Sequence, residues 1–289
     1  MSPPASGPAL DELRRDLAAE VASLASVVDG RSVEELSIDT PAVGWTVSDT
    51  LAHLASFDGH ARTAIVDPDR FRADLERVLT SGPDPIRDAT DRGRTIGAEA
   101  TRTWWHEASL SLLDACRTIE PGQRLPWYGP DMGAMSFLSA RLMENWAHGL
   151  DIRDALGIAV EPTDRLRHVV DLGVRTRGFS YVNRGLDPPT AAVRVELGGP
   201  GGVVWAWGDD DTSDHISGPA LDFALVVTQR RNLADTTLTV EGAAAREWMS
   251  IAQAFAGGPT ENRPPAAGTS WSGAERIGRG TRPVRRGDP

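Results

Sequence analysis

Apolar residues recur at three- and four-residue intervals through four long stretches of this chain, and each stretch predicts a helix with one buried face. Residues 9–28, "ALDELRRDLAAEVASLASVV", form the first. In the second, "GWTVSDTLAHLASFDGHARTAI", Thr46 and Asp49 make a capping-box-like start, and Leu51, Leu54 and Ala55 carry the stripe onward. Residues 85–119, with Trp104 and Trp105, are expected as one long helix with room for a break. Residues 134–156 form the fourth, stopped by Gly157 in the position of a C-terminal capping glycine. "EPGQRLPWYGPDMG" before it is a loop by its proline and glycine content. Four such helices predict a helix bundle.

The pattern changes near residue 185. "AAVRVELGG" and "VVWAWG" alternate as strands do, and the "GGPGG" run between them is expected as a hairpin turn, not a phosphate loop. "GPALDFALVVTQRRN" predicts a helix, "TTLTVEG" a strand and "AAAREWMSIAQAF" a closing helix. The class is therefore α+β: a bundle over 8–160, then a small α+β unit over 161–257. From 258 to 289 the chain is rich in Gly, Pro, Ser and Arg without periodicity, and a disordered tail is expected there.

Charge narrows the function. The net charge of −11 argues against phosphate-held nucleic acid and against an anionic membrane surface. All 30 basic residues are arginine. No secretory leader and no bilayer-length apolar run are visible, and the single cysteine, Cys116, suits a reducing compartment; a cytoplasmic protein is expected. Cys116 has no basic or histidine neighbour in sequence and is expected as buried filler. The sequence leaves the oligomeric state open.

Candidate chemistry lies on the fourth helix. In "RLMENWAHGLDIRDALG", Arg141, Glu144, His148 and Asp151 share one stripe. Glu and His four residues apart can reach one metal ion, and a catalytic zinc site takes three protein ligands and leaves a position open. His53, inside an apolar stripe of the second helix, is the candidate third ligand, with His60 in reserve. Asp151 is placed to orient His148, and Arg141 to balance the carboxylate or meet an anionic substrate. Asp58 ends the His53 segment as a possible fourth ligand.

"GWTVSDTLAHLASFD", followed much later by "ARLMENWAHGLDIRDALG", resembles the mycothiol-dependent maleylpyruvate isomerase family, within the wider DinB-like metal-binding bundles. The likeness runs over roughly residues 8–257, and the second half resembles that family's C-terminal unit, distantly like sterol-carrier folds. It implies a zinc triad of His53, Glu144 and His148, and mycothiol as a thiol cofactor at the open metal position. It further implies a C-terminal arginine that contributes to activity, matched here to Arg230 or Arg231; Arg175 and Arg177 are further basic residues between the two units. Thiolate chemistry at such a site serves isomerisation or S-transfer on an electrophilic, carboxylate-bearing small molecule. Two rivals stand beside it: thiol-independent Lewis-acid chemistry, as in a cyclase, dehydratase or hydrolase, and a non-catalytic protein holding a metal and an apolar ligand. Trp127 and Tyr128, in the loop before the fourth helix, are candidates for the wall of a cofactor pocket. Trp45, Trp146 and Trp248 are expected in the core.

Overall fold

The structure, a computed structural model, describes residues 7–82 and 84–266. It opens with α1 (Gly7–Val28), the short α2 (Val33–Leu36), α3 (Val47–Val66), α4 (Pro68–Ser81), α5 (Pro85–Ile96) and α6 (Ala98–Cys116). A two-stranded ribbon, β1 (Arg124–Leu125) and β2 (Met132–Gly133), leads into α7 (Ala134–Leu156). Then come α8 (Leu166–Arg175), α9 (Arg177–Val182), β3 (Arg194–Gly198), β4 (Val204–Trp207), β5 (His215–Pro219), α10 (Ala220–Val227), β6 (Thr239–Glu241) and α11 (Ala243–Ile251).

Helices α1, α3, α6 and α7 close the predicted bundle: α3 packs on α6 and α7, and α1 on α7 and α6. Leu10, Leu13, Leu17 and Leu24 of α1 are fully buried, which is the stripe the spacing predicts. Gly157 takes a left-handed φ of 67° and ends α7. The long helix expected over 85–119, for which a break was allowed, is two helices. Gly97, at φ +86°, breaks it, and the α5 half turns to lie against α3. There a Cβ on Gly93 would stand 2.6 Å from the Ala52 Cβ, so only glycine permits the approach. Helix α4 was not expected, because its apolar content is slight: Phe71 is its one buried apolar side chain.

The α3 cap is built as its sequence predicts, and extended. Asp49 N–H donates to Thr46 Oγ1 (3.1 Å), Thr46 N–H donates to Asp49 Oδ2 (3.0 Å), and Arg94 of α5 clamps both Asp49 oxygens at 2.9 and 3.1 Å. Burial pushes the Asp49 carboxyl up, but Arg94 and Thr46 outweigh it and the pKa ends below its ordinary value. A carboxylate depressed in the folded state adds stability above its unfolded pKa, about 4, and loses it as pH falls through the folded value. Asp49→Ala is expected to cost about 1–2 kcal/mol at pH 7, the upper range for a lost cap, and less at pH 3. Urea melts at the two pH values check this.

The C-terminal sheet has the order β4-β3-β5-β6, with β3 and β5 parallel and the other neighbours antiparallel. The glycine-rich run does join two antiparallel strands, with Gly201 and Gly202 at φ 68° and 81°. Helix α8 lies between α7 and α10, so one continuous apolar core crosses from bundle to sheet. No helix among the described residues is long and apolar enough to cross a membrane.

The first part of the expected tail differs from expectation. Residues 258–266 have no helix or strand, yet they are pinned. Thr260 Oγ1 bonds Gln229 Oε1 (2.7 Å), Asn232 Nδ2 donates to Arg263 O (2.7 Å), and Arg263 reaches Asp151. The rest of that expectation, 267–289, lies outside the described residues.

Candidate metal centre

Helix α3 brings His53, and α7 brings Glu144 and His148, to one place. One ligand atom from each lies within 4.8 Å of the others. His53 Nε2 is 3.9 Å and His148 Nε2 3.3 Å from Glu144 Oε2, and the two rings sit 4.6 Å apart. This donor set suits zinc, which takes imidazole nitrogen and carboxylate oxygen. The protonation states of His53 and Glu144 suit it as well; at His148 burial is outweighed by contacts with Asp151 and Glu144, so its pKa is raised and that ring gives up a proton when a metal binds. Burial drives the His53 pKa down to about 4, which leaves a neutral imidazole. Burial opposes ionisation of Glu144, but hydrogen bonds from His148 and His53 hold it well below the usual carboxylate range. A metal needs both forms.

The neighbours fix the ligands. His148 Nδ1 faces Asp151 Oδ2 at 3.5 Å and Arg230 Nη2 at 3.4 Å. Asp151 is buried, and burial raises its pKa; contacts with His148, Arg230 and Arg263 pull it down to about 2. Arg230 Nη2 stands 2.9 Å from one of its oxygens and Arg263 Nη2 2.7 Å from the other. A carboxylate behind a ligating histidine sets the ring's orientation and basicity.

The structure separates the paired arginines. Gln229 sits at φ 58°, rare for a residue with a side chain, and its amide is gripped by Ala252 O (3.0 Å) and Thr260. The turn aims Arg230 into the cleft, while Arg231 pairs with Asp154 at 2.8 Å and does not line it. Of the two, Arg230 lies on the cleft and Arg231 is held in a half-buried ion pair with Asp154. Arg175 bonds Asp171 and Ser136, and Arg177 bonds Ala191 O, both away from the metal ligands.

Neither reserve ligand closes the site. Asp58 is fully buried and accepts from Arg141 (2.8 Å) and Ser109 (2.9 Å). His60 Nδ1 faces Tyr128 Oη at 2.9 Å. Arg141 is thus held by Asp58 while it still lines the cleft. Cys116 is buried, and its thiol is pushed up to about 12, chiefly by burial.

Above the three ligands opens a cleft of about 500 Å³ between the bundle and the segment after α11. Trp127 and Tyr128 line it, as the loop position predicts. Trp146 and Trp248 are core. Trp45 is not; it is half-buried, lines the cleft and stacks on His148 with centroids 5.9 Å apart. Phe57, Phe255 and Thr260 join the wall without any sequence signal. Arg263 was also missed, since its contact with Asp151 spans 112 residues.

The family model of the mycothiol maleylpyruvate isomerase N-terminal domain matches residues 17–153. The chain belongs to the mycothiol-dependent maleylpyruvate isomerase family. An uncharacterized protein of Mycobacterium tuberculosis, found in strains H37Rv and CDC 1551, is 39% identical over 249 residues. That match covers 86% of this chain and 96% of the mycobacterial one. A crystal structure of the mycothiol-dependent maleylpyruvate isomerase shares the α+β fold at a TM-score of 0.53 and 16% identity, covering 80% of this chain and 92% of that one. A histidine-to-alanine mutant of that isomerase matches at 0.52 and 15%, covering 76% and 89%. In this chain the three ligands and Asp151 lie within the matched residues, while Arg230 and Arg263, which hold Asp151, come from beyond them.

Proposed function

We propose that this chain is a zinc-dependent enzyme that uses a low-molecular-weight thiol, mycothiol, for isomerisation or S-transfer on an electrophilic small molecule. The observation that carries the reading is the three-ligand set His53, Glu144 and His148 facing a cleft, with Asp58 and Asp151 both engaged by arginines and so unavailable as a fourth ligand. Structural zinc is closed by four protein ligands; catalytic zinc keeps a corner open. A thiol bound at that corner would be held as the thiolate, the nucleophilic form, and this is the chemistry the ion supplies.

The chain's own residues do the rest. Asp151, braced by Arg230 and Arg263, keeps His148 Nε2 turned toward Glu144. Trp45 and Phe57 flank the His53 ring at 5.1 and 4.6 Å and hold it in place. Arg141 lies in the cleft wall, where a carboxylate or carbonyl of the substrate can reach it. The family name supports mycothiol and an isomerase-type reaction, and a cytoplasmic site of action follows from a thiol cofactor that must stay reduced.

The test is a rate measurement on zinc-loaded protein with mycothiol and 1-chloro-2,4-dinitrobenzene. Turnover is expected only with thiol and metal together, and to vanish in His148→Ala. Turnover of a substrate at the same rate without thiol would overturn the thiol role in favour of Lewis-acid chemistry.

A further inference from the structure

The metal cleft has a second lobe. A cavity of about 390 Å³ continues from it past Arg141 and Glu144, which line both. The added walls are apolar: Met132, Phe137 and Ala140 from the bundle side, Leu172 and Phe179 from α8 and α9. Its size falls in the range of small-molecule sites, and its place between two structural units is where such sites concentrate.

Charge decides what can enter. The arginines lining the two lobes are Arg141 and Arg230, and each is already paired with a buried aspartate, Asp58 at 2.8 Å and Asp151 at 2.9 Å. A short dicarboxylate would find one charge matched near the metal ligands and the other facing methionine, leucine and phenylalanine. Burying that second charge unpaired is costly. A molecule with one polar end and an apolar body meets no such penalty.

We propose that the second lobe binds the aryl or branched-alkyl body of the substrate, whose single carboxylate or carbonyl end lies at the Arg141–Glu144 junction beside the metal ligands. The substrate class is thus an amphipathic electrophile, not a short diacid. This deepens the reading above and rests on it for the reaction, but the lobe is tested by binding alone.

The probes are 4-phenylbutyrate and succinate, titrated by calorimetry into the full chain without thiol, with and without zinc. Burying a phenyl ring is expected to make 4-phenylbutyrate bind at least about tenfold tighter than succinate. Ala140→Trp, which fills the lobe, is expected to abolish that advantage while zinc stoichiometry stays at the wild-type value. Phe179→Ala, on a half-exposed rim residue whose loss does not threaten folding, is expected to weaken 4-phenylbutyrate about threefold and leave succinate unchanged. Succinate binding as tightly as 4-phenylbutyrate overturns the proposal, and so does an unchanged preference in Phe179→Ala or in a folded Ala140→Trp. A wild-type chain that takes up no zinc yet keeps the preference supports the lobe and removes the metal reading instead.

Discussion

His148→Ala is expected to lower zinc affinity by at least about 100-fold, because even outer partners of a metal ligand cost 10–100-fold when removed and His148 is a ligand itself. Its Nε2 lies 3.3 Å from the Glu144 oxygen that completes the set, and no other histidine stands ready to replace it, since His60 is turned to Tyr128. His53→Ala is expected to act as strongly. The two variants differ in the groups they leave behind. Without His148, Asp151 keeps its ion pairs with both arginines, so its charge stays balanced and the fold should hold. Without His53, a cavity opens beside Trp45 and Phe57 and some stability goes with it. Zinc content after dialysis against a chelator of known affinity, beside circular dichroism, checks both. Wild-type affinity in either variant would remove the proposed centre.

Arg141→Met is expected to cause the largest loss of stability. Asp58 and Arg141 are both buried, and burial raises the Asp58 pKa despite the opposing pull of Arg141 and Ser109. Removing the guanidinium leaves a carboxyl in the bundle core with only the Ser109 hydroxyl. Breaking one half of a buried pair costs about 3–5 kcal/mol. For a chain of this size that lowers the melting temperature by roughly 10 °C. Asp58→Asn added to Arg141→Met should recover much of the loss, since the stranded charge is then gone. A double variant no more stable than the single one would show that Arg141 acts through packing against Trp127 and not through Asp58.

How much of this was legible in the sequence depends on how local each contact is. Glu144 and His148 share one helix, so their spacing alone puts them on one face, and the structure shows that face turned to the cleft. His53 was readable as a candidate from its place in an apolar stripe, but an inward histidine on a second helix has no spacing relation to the first, and the family resemblance joined the three. Gly157 and the Thr46–Asp49 cap were readable for the same local reason. Helix α4 escaped notice because an exposed helix needs few apolar residues; a break within 85–119 was allowed for, but a glycine inside a helical pattern does not announce where the chain changes direction. The choice between Arg230 and Arg231 lay in the backbone of Gln229, which no side-chain pattern encodes. Arg263 was lost to composition: a stretch poor in apolar residues reads as tail, yet its hydrogen bonds to Asp151, Asn232 and the Gln229 region hold it without a core of its own.

Synthesis of the chain runs from the bundle outward, and the Asp151 contact with Arg263 has a consequence for that order. The aspartate leaves the ribosome 112 residues ahead of the arginine that finally neutralises it. Until Arg230 and Arg263 have emerged, the nascent bundle carries Asp151 without either arginine partner, so the ground behind His148 is more acidic than in the finished chain. Metal loading during translation and metal loading of the finished protein would follow different routes.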